Sequence, residues 1–477
     1  MAPINPTEVF DVIVIGSGSG GKITRPAADL GYKVAIIDKG PLGGTCLNRG
    51  CIPSKMLIHP ADVINEIEHA KTYDISVPVN EVFIDKAKLV NYVTSYIDGE
   101  SSSINPVYAQ HPNIIHIKKE CAFVDDHTLR LRKTEGVNSD DEDTFITGKK
   151  IFVVAGARAT IPKIPGLKGT PYMTSPEILR LKKTLDRVVI IGGGYVGTEL
   201  GYYLGKTGSK VTFLVRGGFI SNEDCQVQEE FTKIFTEIFD CHINIQIKKV
   251  EYINEIFKVY VDENGVEKVF EGEGLFIATG VTPNTDILEV KNAGIELDHR
   301  GYIKVDDYLR TSVPHIWSWG DIIGRKLFRH TANFEGEYVF RSVFEETPKG
   351  IEVKPINYPS IPHAIFTNPQ IGGVGLTEQQ AKAKDIDYVI GFCPYKNSAM
   401  GNALRSKNGF VKLIFERSSR KLIGAHIIGV EASNMIHICI VFLQFGATID
   451  DMLHTIYIHP ALPELIRNAC RLALPNF

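Results

Sequence analysis

From its first apolar stretch the chain alternates short β-branched runs with longer segments of helical periodicity. Residues 11–16, DVIVIG, end in glycine and are followed by SGSGGKITRPAADLGYKVAIID, which reads as a turn, a helix, a glycine stop and a second strand. Strand, helix and strand at that spacing predict a parallel βαβ unit. The same order returns over residues 188–216, VVIIGGGYVGTELGYYLGKTGSKVTFLVR. Neither unit continues at a fixed period, which excludes a solenoid. Beyond residue 358 the pattern changes to strands in HAIFTNPQIGGVGLTE, GFVKLIFE and KLIGAHIIG, then to apolar helices over residues 436–445 and 462–472. The expected fold class is α/β, with two Rossmann-like domains followed by an α+β domain.

Length and charge narrow this picture. A chain of 477 residues exceeds what one core supports, so roughly two to four domains are expected. Lys and Arg number 52 against 56 Asp and Glu, a net charge of -4, which favours neither nucleic acid nor an anionic membrane surface as partner. No segment reaches the roughly 18–20 apolar residues of a membrane span. The apolar run at residues 12–15 is too short for a signal peptide and lacks its basic flank, so a cytoplasmic protein is expected. The acidic stretch SDDED at residues 139–143 reads as a solvated hairpin tip. Cys121, Cys225, Cys241, Cys393, Cys439 and Cys470 are isolated and make no disulfide framework. In the reducing compartment this implies, a close cysteine pair points to redox or metal chemistry.

The first fingerprint is Gly16-x-Gly18-x-x-Gly21, between a predicted strand and a helix, with Asp38 ending the next strand. Its glycines permit a tight turn, approach of a pyrophosphate to the backbone and helix–strand packing, and Asp38 can accept from a ribose diol. The second, Gly192-x-Gly194-x-x-Gly197, has the same context, but its second strand ends in Val215-Arg216 where an acidic residue would select a 2′-hydroxyl. Arg216 can pair with a 2′-phosphate, which favours NADP(H) modestly over NAD(H). Two dinucleotide sites in one chain suit one tightly held and one exchanging cofactor, the arrangement that feeds electrons into a flavin. Asp321, in IWSWGD, ends a short strand and can present a carboxylate to the ribityl and phosphate part of FAD.

Between the fingerprints lies GGTCLNRGCIPSK, with Cys46 and Cys51 among glycines and a proline. Five residues of regular helix turn through about 500°, so one undistorted helix cannot bridge the two thiols. Cys46 is therefore expected in the glycine-rich turn or a distorted first turn, and Cys51 at the start of the helix leading to Lys55. A helix N-terminus stabilises a thiolate and makes it a good nucleophile and leaving group. A redox pair is favoured over a zinc half-site, for which no second ligand pair exists, and over two inert thiols; no metal is expected. Lys55 would point back toward a flavin, and Glu199 in the second fingerprint helix could pair with it.

Near the end, HTIYIHPALPELIRNA holds His459 before a proline-bounded turn that can fold Glu464 back on the imidazole. A carboxylate on one ring nitrogen fixes the tautomer and makes the other a general acid/base for a thiol. His454 competes, but it precedes the strand-like TIYI at residues 455–458 without a matching acid.

GSGSGG, GGTCLNRGCIPSK, GGGYVGTE, ATG at residues 278–280, WGD and HPALPE together resemble, in order and over nearly the full chain, the class I pyridine nucleotide-disulfide oxidoreductases. The resemblance implies two Rossmann-like FAD- and NAD(P)-binding domains plus a C-terminal α+β dimerisation domain. The FAD-binding domain (residues 1–160 and 285–350) is then interrupted by the NAD(P)-binding domain (161–284), and residues 351–477 form the interface of a homodimer. It implies that Cys51 is the charge-transfer thiolate beside the flavin and Cys46 the interchange thiol. His459 and Glu464 would act on the cysteine pair of the other subunit. Gly16, Gly18, Gly21, Asp38, Lys55 and Asp321 match positions that contact FAD; Gly192, Gly194, Gly197 and Arg216 match positions that hold NAD(P).

Within the family, GGTCLNRGCIPSK looks most like dihydrolipoamide dehydrogenases, whereas HPALPE, GVEASNMI and Val215-Arg216 look more like mycothione reductases. The activity implied is electron exchange between NAD(P)H and a small dithiol or disulfide through FAD and the Cys46–Cys51 pair, in the manner of dihydrolipoamide dehydrogenase. An NADPH-dependent reductase of a low-molecular-weight disulfide is the alternative. A flavoprotein with silent thiols and a binding or direct electron-transfer role is the reading from another class.

Overall fold

The computed structural model describes residues 8–132 and 144–477, so the acidic stretch at residues 139–143 lies outside the described residues. The chain forms two compact units. The first gathers Met1–Pro53, Asn91–Thr160 and Val281–Asn357. Its sheet is centred on Glu8–Ile15, which runs parallel to Val34–Ile37 on one side and to Thr144–Val153 on the other. Ile114–Ile117 extends it in parallel beyond Val34–Ile37. On the other flank Thr144–Val153 pairs with Thr128–Leu131 antiparallel through its first half and with Ile316–Ser318 parallel through its last residues. Val12, Ile13, Val14 and Ile15 are all buried, the continuous apolar run expected of a parallel strand covered on both faces.

The second unit gathers Ser54–Val90, Ile161–Gly280 and Tyr358–Phe477. It contains the second βαβ unit, with Arg187–Ile191 parallel to Lys210–Val215 and to Gly274–Ile277, and a three-stranded antiparallel sheet over residues 246–272. Its C-terminal portion is a five-stranded antiparallel sheet in the order His363–Ile365, Gln370–Gly375, Leu422–Gly429, Phe410–Glu416, Tyr388–Pro394. The helices Ala432–Gln444 and Glu464–Ala473 pack on this sheet, joining Met435, Ile436, Leu465 and Ile466 to Val374, Leu413 and Ile427 in one core. Two helices bridge the units in sequence: Cys51–His69 and Lys86–Ala109 each begin in one and continue in the other.

One expected strand is absent. TIYI at residues 455–458 is irregular, although its alternation is real: Tyr457 packs against the C-terminal core while Ile456 and Ile458 are 97% and 79% exposed. Alternation specifies which side chains point inward, but a strand also needs a neighbour to take its backbone hydrogen bonds, and this stretch has none among the described residues.

Candidate active site

The two fingerprints are built alike where strand meets turn. Gly16 and Gly192 have φ of +106° and +126°, and a Cβ on either would collide with a carbonyl oxygen, that of Val154 at 2.5 Å or of Ala278 at 2.2 Å. Only glycine fits both the left-handed backbone and the close approach. They differ at the third position. In the second fingerprint a Cβ on Gly197 would stand 2.7 Å from the Gly192 carbonyl oxygen; in the first the equivalent contact falls at Gly20, 2.2 Å from that of Gly16, and Gly21 meets nothing nearer than the Tyr108 hydroxyl at 3.6 Å. The helix-packing task expected of Gly21 thus belongs to its neighbour.

Asp38 stands at the end of the second strand, where Ser17 donates to its Oδ2 from the backbone at 2.8 Å and from the hydroxyl at 2.5 Å, and the Gly40 amide donates to Oδ1 at 2.9 Å. The Ser17 hydroxyl also accepts from the Gly43 amide at 3.0 Å. One small side chain therefore ties together the fingerprint turn, the strand-end carboxylate and the loop that opens the cysteine motif. Spacing alone gave Ser17 no role; its position between two fingerprint glycines was the available signal.

Cys46 lies in the short helix Gly44–Arg49, and Cys51 is the first residue of the Cys51–His69 helix, with Gly50 between them. Both are thiols, Cys51 exposed and Cys46 partly buried. A side-chain hydrogen bond with Cys51, then burial, then the charge on Cys51 push the Cys46 thiol well above its usual range, and the Arg329 guanidinium pulls weakly the other way. Two thiols this close give up one proton readily and the second with difficulty. Cys51 stands at the N-terminus of a 19-residue helix, where the dipole favours a negative charge.

One turn further along, the Lys55 ammonium pairs with Glu199 Oε2 at 2.7 Å and lies 4.5 Å from the centre of the Phe366 ring. The other oxygen of this buried glutamate accepts from the Phe366 amide at 2.9 Å. Lys55 and Glu199 are 144 positions apart and meet within one unit. Arg216 is exposed at the end of its strand, beside buried Val215.

Burial raises the Asp321 carboxyl above the usual carboxylate range, with Arg329 opposing. His459 Nδ1 lies 3.1 and 3.0 Å from the two oxygens of Glu464, the first residue of the last long helix, and so donates to them. Burial pushes the Glu464 carboxyl up, but His459, the Ala461 amide and Arg467, at 2.6 Å, outweigh it and hold the carboxyl below its usual range. Arg467 and Arg329 are further charged residues that no motif marked.

Residues 10–336 match the pyridine nucleotide-disulphide oxidoreductase family, and residues 361–470 match the dimerisation domain of the same family. The chain belongs to that family. A dihydrolipoyl dehydrogenase from Geobacillus stearothermophilus is 32% identical over 471 residues, covering 97% of this chain and 96% of its own length. A mycothione reductase from Mycobacterium tuberculosis is also 32% identical, over 97% of this chain and 99% of its own. Among solved structures, the Cu(II) complex of RclA, an HOCl-induced flavoprotein disulfide reductase from Escherichia coli, superimposes with a TM-score of 0.84 at 26% identity, covering 98% of this chain and all of that one.

This oxidoreductase is a flavoenzyme that uses FAD and NAD(P) in disulfide chemistry and carries the family's dimerisation domain. Its residues fit FAD. The Asp321 carboxylate accepts no side-chain or backbone hydrogen bond among the described residues although burial disfavours its charge, the condition of an acceptor that a ribityl or ribose hydroxyl would satisfy. No helix of the described residues is long and apolar enough to cross a membrane.

Proposed function

We propose that this chain exchanges electrons between a nicotinamide nucleotide and a small dithiol or disulfide through Cys46 and Cys51, in the manner of dihydrolipoamide dehydrogenase. The observation that carries the reading is the hydrogen-bonded pair itself, two thiols on adjoining helix ends beside the first fingerprint. Gly16, Gly18, Gly21, Asp38, Lys55 and Asp321 hold FAD, with Gly20 and Ser17 supporting the turn; Gly192, Gly194, Gly197 and Arg216 hold the nucleotide. FAD, when bound, accepts electron pairs from one partner and passes them to the other.

The residues do the rest. Reducing a disulfide, Cys46 gives its proton to His459 as it attacks one substrate sulfur, the S–S bond breaks and the first thiol leaves with that proton. Cys51 then attacks the Cys46 sulfur, releasing the second thiol and closing the Cys46–Cys51 bond. Two protein thiols are oxidised as one substrate disulfide is reduced. Dithiol oxidation is the same sequence reversed, with His459 taking the protons. Glu464 orients the imidazole, and the pair serves the cysteines of the partner subunit, so that a homodimer shares its active sites.

We assign residues 1–160 and 285–350 to FAD binding, 161–284 to NAD(P) binding and 351–477 to the interface, in a cytoplasmic protein with scattered free thiols. Arg216 in place of an acidic strand end favours a second reading, NADPH-dependent reduction of a low-molecular-weight disulfide such as mycothione. Turnover of lipoamide, glutathione disulfide and mycothione with each nucleotide separates the two. Arg216→Ala should lower kcat/KM with NADPH about tenfold and spare NADH; equal losses would remove the 2′-phosphate role.

A further inference from the structure

A buried acid lies beside the second fingerprint that the thiol chemistry does not use. Glu223, its side chain wholly buried, precedes the Cys225–Ile238 helix. One of its oxygens accepts from the Tyr195 hydroxyl, and the other accepts from His363 Nε2 at 2.8 Å. The Tyr195 and His363 rings lie 6.2 Å apart at 20°. Tyr195 is the first residue of the Tyr195–Lys206 helix, directly after Gly194, and His363 begins an edge strand of the C-terminal sheet. A buried carboxylate costs free energy unless its oxygens are bonded, so these contacts hold the phenol and the imidazole firmly.

Helix side chains lean toward their N-terminus, so a residue at the first position covers the turn before it. That turn is where a dinucleotide pyrophosphate meets the helix. Here the phenol is tied off to Glu223, and Gly194 is exposed. We propose that Glu223 and His363 are positioning residues for the nicotinamide nucleotide, anchoring the Tyr195 ring so that it stays clear of the Gly194 turn. Without the anchor the hydroxyl loses its tie to Glu223 and the ring can lean over the turn, where the nucleotide must displace and order it on binding. The inference rests on the second fingerprint being the nucleotide site.

The neighbouring charges are already partnered. The Lys412 ammonium, fully buried, pairs with Asp224 at 2.8 Å and Glu378 at 2.5 Å, and His426 Nε2 donates to the Leu376 carbonyl at 2.9 Å. The Tyr195 hydroxyl and His363 are the donors that the side-chain hydrogen bonds of Glu223 use.

In FAD-loaded protein, Glu223→Met should raise the Kd and KM of the nucleotide roughly 3- to 10-fold while kcat stays within about twofold and FAD content is unchanged. His363→Met should do the same and His363→Gln, which keeps a donor, should stay near the parent. Adding Tyr195→Ala to Glu223→Met should restore affinity, because the obstructing ring is gone; a role in folding alone would not be rescued this way. Unchanged nucleotide affinity in a folded Glu223→Met protein, or no recovery in the double variant, overturns the proposal. Gly194→Val should abolish nucleotide binding. If it binds normally, the assignment of the fingerprint has failed, and the anchor falls with it.

Discussion

Gly44 of the cysteine loop lies against Gly18 of the first fingerprint so closely that a Cβ on Gly44 would stand 2.5 Å from the Gly18 Cα. The contact is backbone on backbone, so neither side can yield by turning a side chain. Gly44 also has φ of +69°, whereas Gly31 has φ of +91° with open space around it. Gly31→Ala therefore measures backbone strain alone. Gly44→Ala should cost about 2 kcal/mol more than Gly31→Ala and should lower FAD retention, checked by thermal unfolding and by the flavin-to-protein absorbance ratio.

Cys51 is placed to carry the one charge of the reduced pair. Anaerobic two-electron reduction of the FAD-loaded protein should produce a long-wavelength charge-transfer absorbance that is absent in Cys51→Ser and kept in Cys46→Ser. A band that survives in Cys51→Ser would assign the thiolate to the wrong sulfur.

His459 and Glu464 form one hydrogen-bonded pair, and the proposed function has them act together. His459→Ala should lower disulfide turnover by roughly 10²-fold with FAD still bound, and Glu464→Gln by less, since the imidazole remains. The carboxyl of Glu464 is held below its usual range, so its stabilising effect is complete above the usual carboxylate pKa and disappears as pH falls through the lowered folded value. Melting curves of Glu464→Gln and the parent should thus differ at pH 7 and converge in acid.

The predicted β-strands and fingerprints were legible because each is a local pattern: an apolar run, a glycine at a fixed step, a polar or acidic end. Cys51 at a helix start and the Glu464 turn onto His459 follow from neighbours within about one helical turn. What sequence did not yield depends on distant partners. That Gly20 rather than Gly21 takes the close contact is set by where the Gly16 carbonyl points, which the spacing of the glycines does not specify. The Tyr388–Pro394 strand went unnamed because GFCP mixes glycine and proline into its alternation, and its identity is set by pairing with Phe410–Glu416. Glu223 and His363 are 140 positions apart, and no spacing rule connects them.

Lys86 gives a stability test away from the chemistry. It is 3% exposed at the start of a helix, its ammonium has no hydrogen-bond partner among the described residues, and it lies 5.3 Å from the centre of the Tyr203 ring. Burial pushes it down to about 8. Lys86→Met should stabilise the protein by roughly 1–3 kcal/mol at pH 7. Between about pH 8 and the usual lysine value near 10.4 the unfolded chain binds more protons than the folded one, so the parent gains stability as pH rises and the advantage of Lys86→Met shrinks. Denaturant titrations across that window check both size and sign.

Ile456, Ile458 and Phe445, each at least 79% exposed, leave greasy side chains in the open on the stretch that leads into His459 and on the helix end nearby in sequence. A solitary copy bears this strip unprotected, and water penalises it at every encounter. If the dimerisation domain buries these side chains against a second copy, dilution would do more than slow the enzyme: it would leave each half prone to clumping.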